Sequence, residues 1–150
     1  EFRNLFFYGD PGVGKTFLSN CIAKELIDRS NSVIYLSSFQ LFETLAKGKF
    51  EKDEQATKIN KHLLNCDLLI IDDLGTELVN SLTVSQLFLC LNERLLNRKP
   101  TIISTNLSLD ALVDIYSERI FSRITSNYTM LKITGDDIRI KKKLMNMEEM

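Results

Sequence analysis

Two patterns of apolar positions alternate along this chain. Short unbroken apolar runs predict strands: Leu5-Phe6-Phe7-Tyr8, ended by Gly9; Val33-Ile34-Tyr35-Leu36; Leu68-Leu69-Ile70-Ile71, ended by Asp72-Asp73; Thr101-Ile102-Ile103-Ser104-Thr105, opened by Pro100; and 129–134, closed by Gly135. Between them apolar residues recur at helical spacing. One helix is predicted over 16–28. A second, over 38–46, carries Phe39, Phe42 and Leu45, with Gly48 placed to stop it. A third covers 54–65, with Ile59, Leu63 and Leu64 on one side. The longest, 82–98, puts Val84, Leu87, Phe88, Leu91 and Leu95 on one face, with Arg94 and Arg98 near its C-terminal end, where cations suit the helix dipole. Ser108 or Asp110 caps a short helix, and another covers 117–125.

Alternating strands and helices imply a three-layer α/β domain with a mainly parallel five-stranded sheet. The unbroken apolar character of the third and fourth strands fits strands covered on both faces. Ligands in such sheets bind at the carboxyl ends of the strands, so chemistry is expected there.

Composition narrows the classes. A chain of 150 residues with 44% hydrophobic content supports one domain with a real core. Lys plus Arg is 19 and Asp plus Glu is 20, a formal charge of -1, which excludes a globally basic nucleic-acid coat protein but not a local basic patch. No apolar run approaches the ~18 residues of a membrane span. Glu1-Phe2-Arg3-Asn4 is no signal peptide and reads as a cut, because a strand starts almost at once. Cys21, Cys66 and Cys90 have no CxxC spacing and are expected as buried free thiols; the solitary His62 is expected at the surface.

The chemistry clusters where the strands end. Gly9-Asp10-Pro11-Gly12-Val13-Gly14-Lys15-Thr16 follows the first strand and fits GxxxxGK[ST] in full. Glycines let backbone N–H groups wrap an anion, and the next helix presents its positive end to it. Lys15 is placed to reach β- and γ-phosphates, and the Thr16 hydroxyl to ligate Mg²⁺. Asp72 at the tip of the third strand is the expected metal partner of Thr16. Asp73 is placed to orient or deprotonate a water. Asn106, after the fourth strand, is placed to hold that water or touch the γ-phosphate. Each has a plainer alternative: turn aspartates before Leu74-Gly75, and a capping Asn. Arg119 and Arg123, at i and i+4, share a helix face. Arg119 alternatively pairs with Glu118 or Asp114. Arg123 suits a phosphate on a neighbouring subunit, and Arg139 a phosphate in the same subunit. Lys141-Lys142-Lys143 behind it reads as a solvated basic tail or a nucleic-acid contact.

With these residues in view, the chain resembles the AAA+ ATPase domain of bacterial replicative-helicase loaders of the DnaC/DnaI type. The likeness rests on NLFFYGDPGVGKT, on LLIIDDLGTE (68–77), on IISTN (102–106), and on SERIFSRI with GDDIR behind it. IstB-like transposition helpers and the initiator DnaA are near relatives. The resemblance implies a P-loop NTPase fold of AAA+ type, spanning 1–150 as a fragment without the helicase-gripping N-terminal domain. It implies that 9–16 is Walker A, that Asp72 and Asp73 form Walker B, and that Asn106 is sensor 1. Arg123 matches the arginine finger, with Arg119 as fallback, and Arg139 matches sensor 2. It further implies ATP and Mg²⁺, a cytoplasmic setting, and three partners: a replicative helicase, single-stranded DNA and like subunits. Asp at the second Walker B position, where many motors have Glu, implies slow, switch-like turnover. Phe39, Phe42, Phe50, Lys47, Lys49 and Lys52 fall where relatives carry a DNA-contacting insertion, although Phe39 and Phe42 also fit a core. A transposition helper, a P-loop small-molecule kinase and a non-hydrolysing scaffold are the competing functions.

Overall fold

The computed structural model describes residues 3–50 and 54–148. Its strands are β1 (Asn4–Tyr8), β2 (Val33–Ser37), β3 (Leu68–Leu74), β4 (Thr101–Thr105) and β5 (Tyr128–Lys132). They form one sheet in the order β2-β3-β4-β1-β5, and every neighbouring pair is parallel. The helices are α1 (Lys15–Asp28), α2 (Ser38–Phe50), α3 (Glu54–Asn65), α4 (Ser81–Leu96), α5 (Leu109–Tyr116), α6 (Glu118–Asn127) and α7 (Ile138–Glu148).

Alternation along the strands feeds two cores. Phe7, Leu68, Ile70 and Ile102 point to one face and pack with Ala23 of α1. Phe6, Leu69, Ile71 and Ile103 point to the other, where α2 to α6 supply Leu41, Leu63, Leu87, Leu112 and Ile120 among others. Central β4 is buried along its whole length, as the unbroken apolar run requires. The strand order leaves β3 and β1 flanking β4, so the loop after β1 and the acidic end of β3 lie close together.

Local expectations hold in several places. Ser108 caps α5, its hydroxyl accepting from Ala111 N at 3.1 Å. Asn80 and Thr83 form a reciprocal cap on α4. His62 is exposed, and Cys66 and Cys90 are buried free thiols; burial pushes the Cys90 thiol up to about 12.

Other expectations are corrected. Cys21 is exposed, on the outer side of α1. Gly48 does not end α2; it lies inside the helix, and a Cβ there would run into the Asn60 side chain. The glycine therefore serves close approach of α2 to α3. Arg94 lies in the last turn of α4, as expected of a cation suited to the helix dipole, but it does more than that. It is fully buried, donating from Nε to Thr101 Oγ1 (3.0 Å), from Nη1 to Leu63 O (2.8 Å) and from Nη2 to Pro100 O (2.6 Å). The segment around Lys141-Lys142-Lys143 is solvated, as expected, and it lies within a helix that the sequence reading did not assign. Phe42 is core, whereas Phe39 of the same helix is 65% exposed. Lys47 is exposed and paired with Glu43 at 3.1 Å; the side chains of Lys49 and Phe50, and all of Lys52, lie outside the described residues.

Candidate functional site

The loop 9–16 bends directly from β1 into α1. Gly14, at φ +104, is the residue from which the helix starts, and Gly12, at φ +80, occupies a left-handed conformation that favours glycine. A Cβ on Gly12 would also land on the Asp137 carboxylate. The first N–H groups of α1 have no acceptor within the helix and sit behind this bend. Lys15 is buried, and its ammonium donates to Gly9 O (2.6 Å) and Asp10 O (2.7 Å). Burial holds its pKa below the usual lysine value, with Asp73, Asp10 and Asp72 pulling it partly back.

The neighbouring strand end meets this loop. The Thr16 hydroxyl donates to the Asp72 carboxylate, at 3.2 Å from Oδ1 and 3.0 Å from Oδ2. Two further hydroxyls hold the same carboxylate: Ser104 donates to Oδ1 and Tyr35 to Oδ2. The register explains the trio. Ser37 pairs with Asp72, so Tyr35 lies one pair back on the same face, and Ser104 follows Ile103, the partner of Ile71. Sequence reading missed Tyr35, and it quoted Ser104 without a role. Their signal is this register, which links residues 37 and 32 positions apart.

Asp73 is treated differently. Between Ile71 and Leu74 the β3–β4 register shifts, and Asp73 takes φ +56. This irregularity turns its side chain toward a cavity of about 550 Å³ that Lys15, Thr16, Asn106 and Arg139 also line. Burial, then the adjacent Asp72, raise the Asp73 pKa above the usual carboxylate value; Lys15 and Arg139 oppose the shift. Its backbone carbonyl is held by Ser38 Oγ and Thr76 Oγ1, both at 2.9 Å.

Arg139 reaches the cavity on α7. Ile138 N donates to Gly12 O at 2.9 Å, and Asp137 Oδ1 accepts from Arg139 N at 2.9 Å, capping the helix. The start of α7 is thus clasped to the loop. Pro11, Gly12 and Gly14 line the cavity too. Val13 is buried beneath the bend, while Asp10 is exposed.

Arg123 and Arg119 are elsewhere. They border a second cavity of about 380 Å³ that shares no lining residue with the first. Among the described residues Arg119 makes no ion pair with Glu118 or Asp114; its guanidinium lies 4.0 Å from the Phe88 ring centre. The α5–α6 corner that aims them is unusual: Ser117 has φ 81 and ψ 157, a conformation almost confined to glycine. Tyr116, just before it, donates to Glu77, whose other oxygen accepts from Gly75 N at 3.0 Å. The loop after Asp73 is thereby tied to that corner.

The donor set fits a magnesium nucleotide. A hydroxyl and a carboxylate already in contact are hard oxygen ligands of the kind Mg²⁺ shares with phosphates. Among the described residues no group of three or more His, Cys, Asp and Glu is arranged to hold a metal by itself. Among them, also, no helix is long and apolar enough to cross a membrane.

A parallel sheet with a glycine-rich anion loop after β1 and an acidic tip on β3 defines a P-loop α/β domain of AAA+ type. The chain belongs to the family described as IstB-like ATP binding protein, whose model matches residues 1–146. It is 27% identical over 144 residues to the putative ATP-binding protein of insertion sequence IS232 from Bacillus thuringiensis subsp. berliner, covering 93% of this chain and 56% of that protein. It is 32% identical over 135 residues to the chromosomal replication initiator protein DnaA of Mycoplasma genitalium, covering 89% of this chain and 30% of the relative. The chain therefore spans about half or less of these relatives. The crystal structure of the DnaC helicase loader superposes with a TM-score of 0.79 at 29% identity, covering 89% of this chain and 80% of that one. The likeness to loader AAA+ domains read from the motifs agrees with this fold.

Proposed function

We propose that this chain is the ATP-binding and slowly hydrolysing AAA+ domain of a DNA replication helicase loader, whose nucleotide state controls assembly on helicase and single-stranded DNA. The contact of Thr16 with Asp72, at the edge of the cavity that Lys15, Asp73, Asn106 and Arg139 line, carries the nucleotide part of this reading, and the superposition on the DnaC helicase loader supports the loader part.

The loop 9–16 wraps the phosphates with backbone N–H groups. Lys15 exchanges its carbonyl partners for β- and γ-phosphate oxygens. Thr16 and Asp72 hold Mg²⁺, which when bound neutralises charge on those oxygens. Asp73 takes the proton of the attacking water as the water oxygen bonds to the γ-phosphorus and the bond to the β-bridging oxygen breaks, giving ADP and phosphate. A carboxyl with a raised pKa suits this role. Asn106 orients the water. Arg139 acts within the chain, and Arg123 on the nucleotide of a second copy, as expected of a cation at a cavity separate from its own chain's site. The short Asp73 side chain supports slow turnover. The exposed Phe39 and Lys47 on α2 support a single-stranded DNA contact.

Changing Lys15 to Ala is expected to weaken ATP binding at least tenfold, measured with a fluorescent ATP analogue; unchanged affinity would overturn the nucleotide site. The family match and the insertion-sequence relative favour a second reading, an ATPase that assists a transposase on duplex DNA. Capture of a hexameric helicase by the purified protein supports the loader. Capture of a transposase instead supports the helper.

A further inference from the structure

Arg119 and Arg123 form a concentrated positive feature that the described residues of their own chain leave unanswered. Their guanidinium carbons lie 4.0 Å and 5.3 Å from the centre of one ring, that of Phe88 on α4. Among the described residues neither guanidinium has a carboxylate partner or a side-chain acceptor. Two like charges one helical turn apart repel, and something must hold them together. An aromatic face does so through its quadrupole, within the ~6 Å range of such contacts. A carboxylate in the same place would pair with the N–H fork and use up its donors. The ring attracts the cations without accepting the hydrogen bonds that a carboxylate would take, and leaves those N–H donors unspent. Phe88 is itself half-buried and packs against the larger core, so it is a fixed platform. Ser122, Ser126 and Asn127 complete the cavity with neutral polar groups.

We propose that Phe88 is a positioning residue for this pair: its ring fixes the Arg119 and Arg123 guanidiniums side by side as a receiver for the triphosphate held by a second copy of the chain. The proposal rests on the reading that an arginine completes the site from a neighbouring copy, and it adds both the residue that aims that arginine and a share for Arg119.

The test is ATP turnover as a function of protein concentration, at saturating ATP and without DNA, for the purified protein. Wild type is expected to speed up per molecule as copies associate, and R119A and R123A to lose that rise. Phe88→Leu keeps an apolar side chain but no π face. It should cut the concentration-dependent rate about fivefold, a fall in kcat, with fluorescent-ATP affinity at high dilution unchanged. Phe88→Tyr should stay within twofold of wild type. Phe88→Met, a flexible filler, repeats the Leu test should that variant not fold. Equal losses for Leu and Tyr, or none for Leu or Met, overturn the Phe88 proposal while leaving the trans arginine intact. If R119A and R123A keep the full rise, the trans reading itself falls and takes this proposal with it. A loss of DNA affinity in Phe88→Leu, without change in the concentration dependence, assigns the pair to nucleic-acid phosphate and overturns it as well.

Discussion

Replacing Arg94 by Met tests how the site's scaffold is held. The guanidinium is fully buried, and its oxygen acceptors are neutral: Leu63 O, Cys66 O, Pro100 O and Thr101 Oγ1, with Cys66 Sγ as a further contact at 3.3 Å. Leu63 lies in the last turn of α3, where carbonyls lack helical partners, so Arg94 works as a cap supplied by α4. Its other contacts reach the start of β4, the central strand, whose opposite end lies beside the acidic tip. Met fills much of the same volume but donates nothing. Cys66 O then has no remaining donor among the described residues, and Leu63 O keeps only the Cys66 thiol at 3.5 Å. Pro100 O retains Leu69 N at 3.2 Å. Two poorly satisfied buried carbonyls cost roughly 2–6 kcal/mol together. Part of that is offset, because the variant no longer buries a charge without a counter-charge. The expected net loss is ~2–4 kcal/mol, a large share of the ~5–15 kcal/mol of an ordinary domain. Urea unfolding measures it as a midpoint about 1–2 M lower at unchanged slope. A loss below ~0.5 kcal/mol would mean that the carbonyls find other donors and that the cage is incidental. The folded fraction should bind ATP normally, since Arg94 lines no part of the nucleotide cavity.

Two further outcomes follow from the acidic strand end. Asp73→Asn should slow turnover about 10²–10⁴-fold, read in a single-turnover assay. The same change should stabilise the nucleotide-free fold at neutral pH. The Asp73 pKa is raised above 3.8 in the folded chain, so its ionisation opposes folding as pH climbs through the window that opens at 3.8. Below 3.8 the carboxyl is protonated folded or unfolded, and the two melting temperatures should converge. An Asn variant that melts lower than wild type at pH 7 contradicts this, because Asn tolerates φ +56 as well as Asp does. Tyr35→Phe removes the phenol that donates to Asp72 Oδ2. ATP binding should then need ~10-fold more Mg²⁺, with Mg²⁺-free affinity unchanged; coincident titration curves for the two proteins would exclude a role for the phenol.

The strands and the phosphate loop were legible because each is a local pattern: an unbroken apolar run, a glycine bend, a GKT ending. The placing of Asp72 beside Thr16 followed from pairing the phosphate-loop motif with an acidic strand tip in a parallel sheet. What escaped the sequence depends on contacts that no period encodes. Gly48 looks like a helix stop until Asn60, from the next helix, is seen to occupy the space a side chain would need. Arg94 reads as a cation that suits the end of the helix dipole, and only the folding of α3 and β4 around it shows that it is also a core cap. Phe39 and Phe42 share a helix and an apolar character, yet one faces solvent and the other the core. Behind Gly135 a run of lysines hides a helix whose first residues clasp the phosphate loop.

The adjacency of Asp72 and Asp73 poses a geometric problem that the sheet solves with one irregularity. In a regular strand neighbouring side chains point to opposite faces, so two consecutive carboxylates cannot serve one site. Here β3 advances three residues, from Ile71 to Leu74, while β4 advances two, from Ile103 to Thr105. The extra residue frees Asp73 from the pleat and lets it turn into the cavity beside Lys15. The surroundings then diverge. Asp72 accepts from three hydroxyls, which suits a fixed anionic ligand. Asp73 keeps its side chain for the cavity, where desolvation and the neighbouring charge favour its protonated form. Separating the environments of two carboxylates is how one site obtains both a held ligand group and a proton acceptor. The left-handed backbone at Asp73 is held in place by Ser38 and Thr76 on its carbonyl. Maintaining that conformation at the residue whose ionisation also opposes folding is a cost to the resting protein, and it is coherent only if Asp73 acts on something the cavity receives.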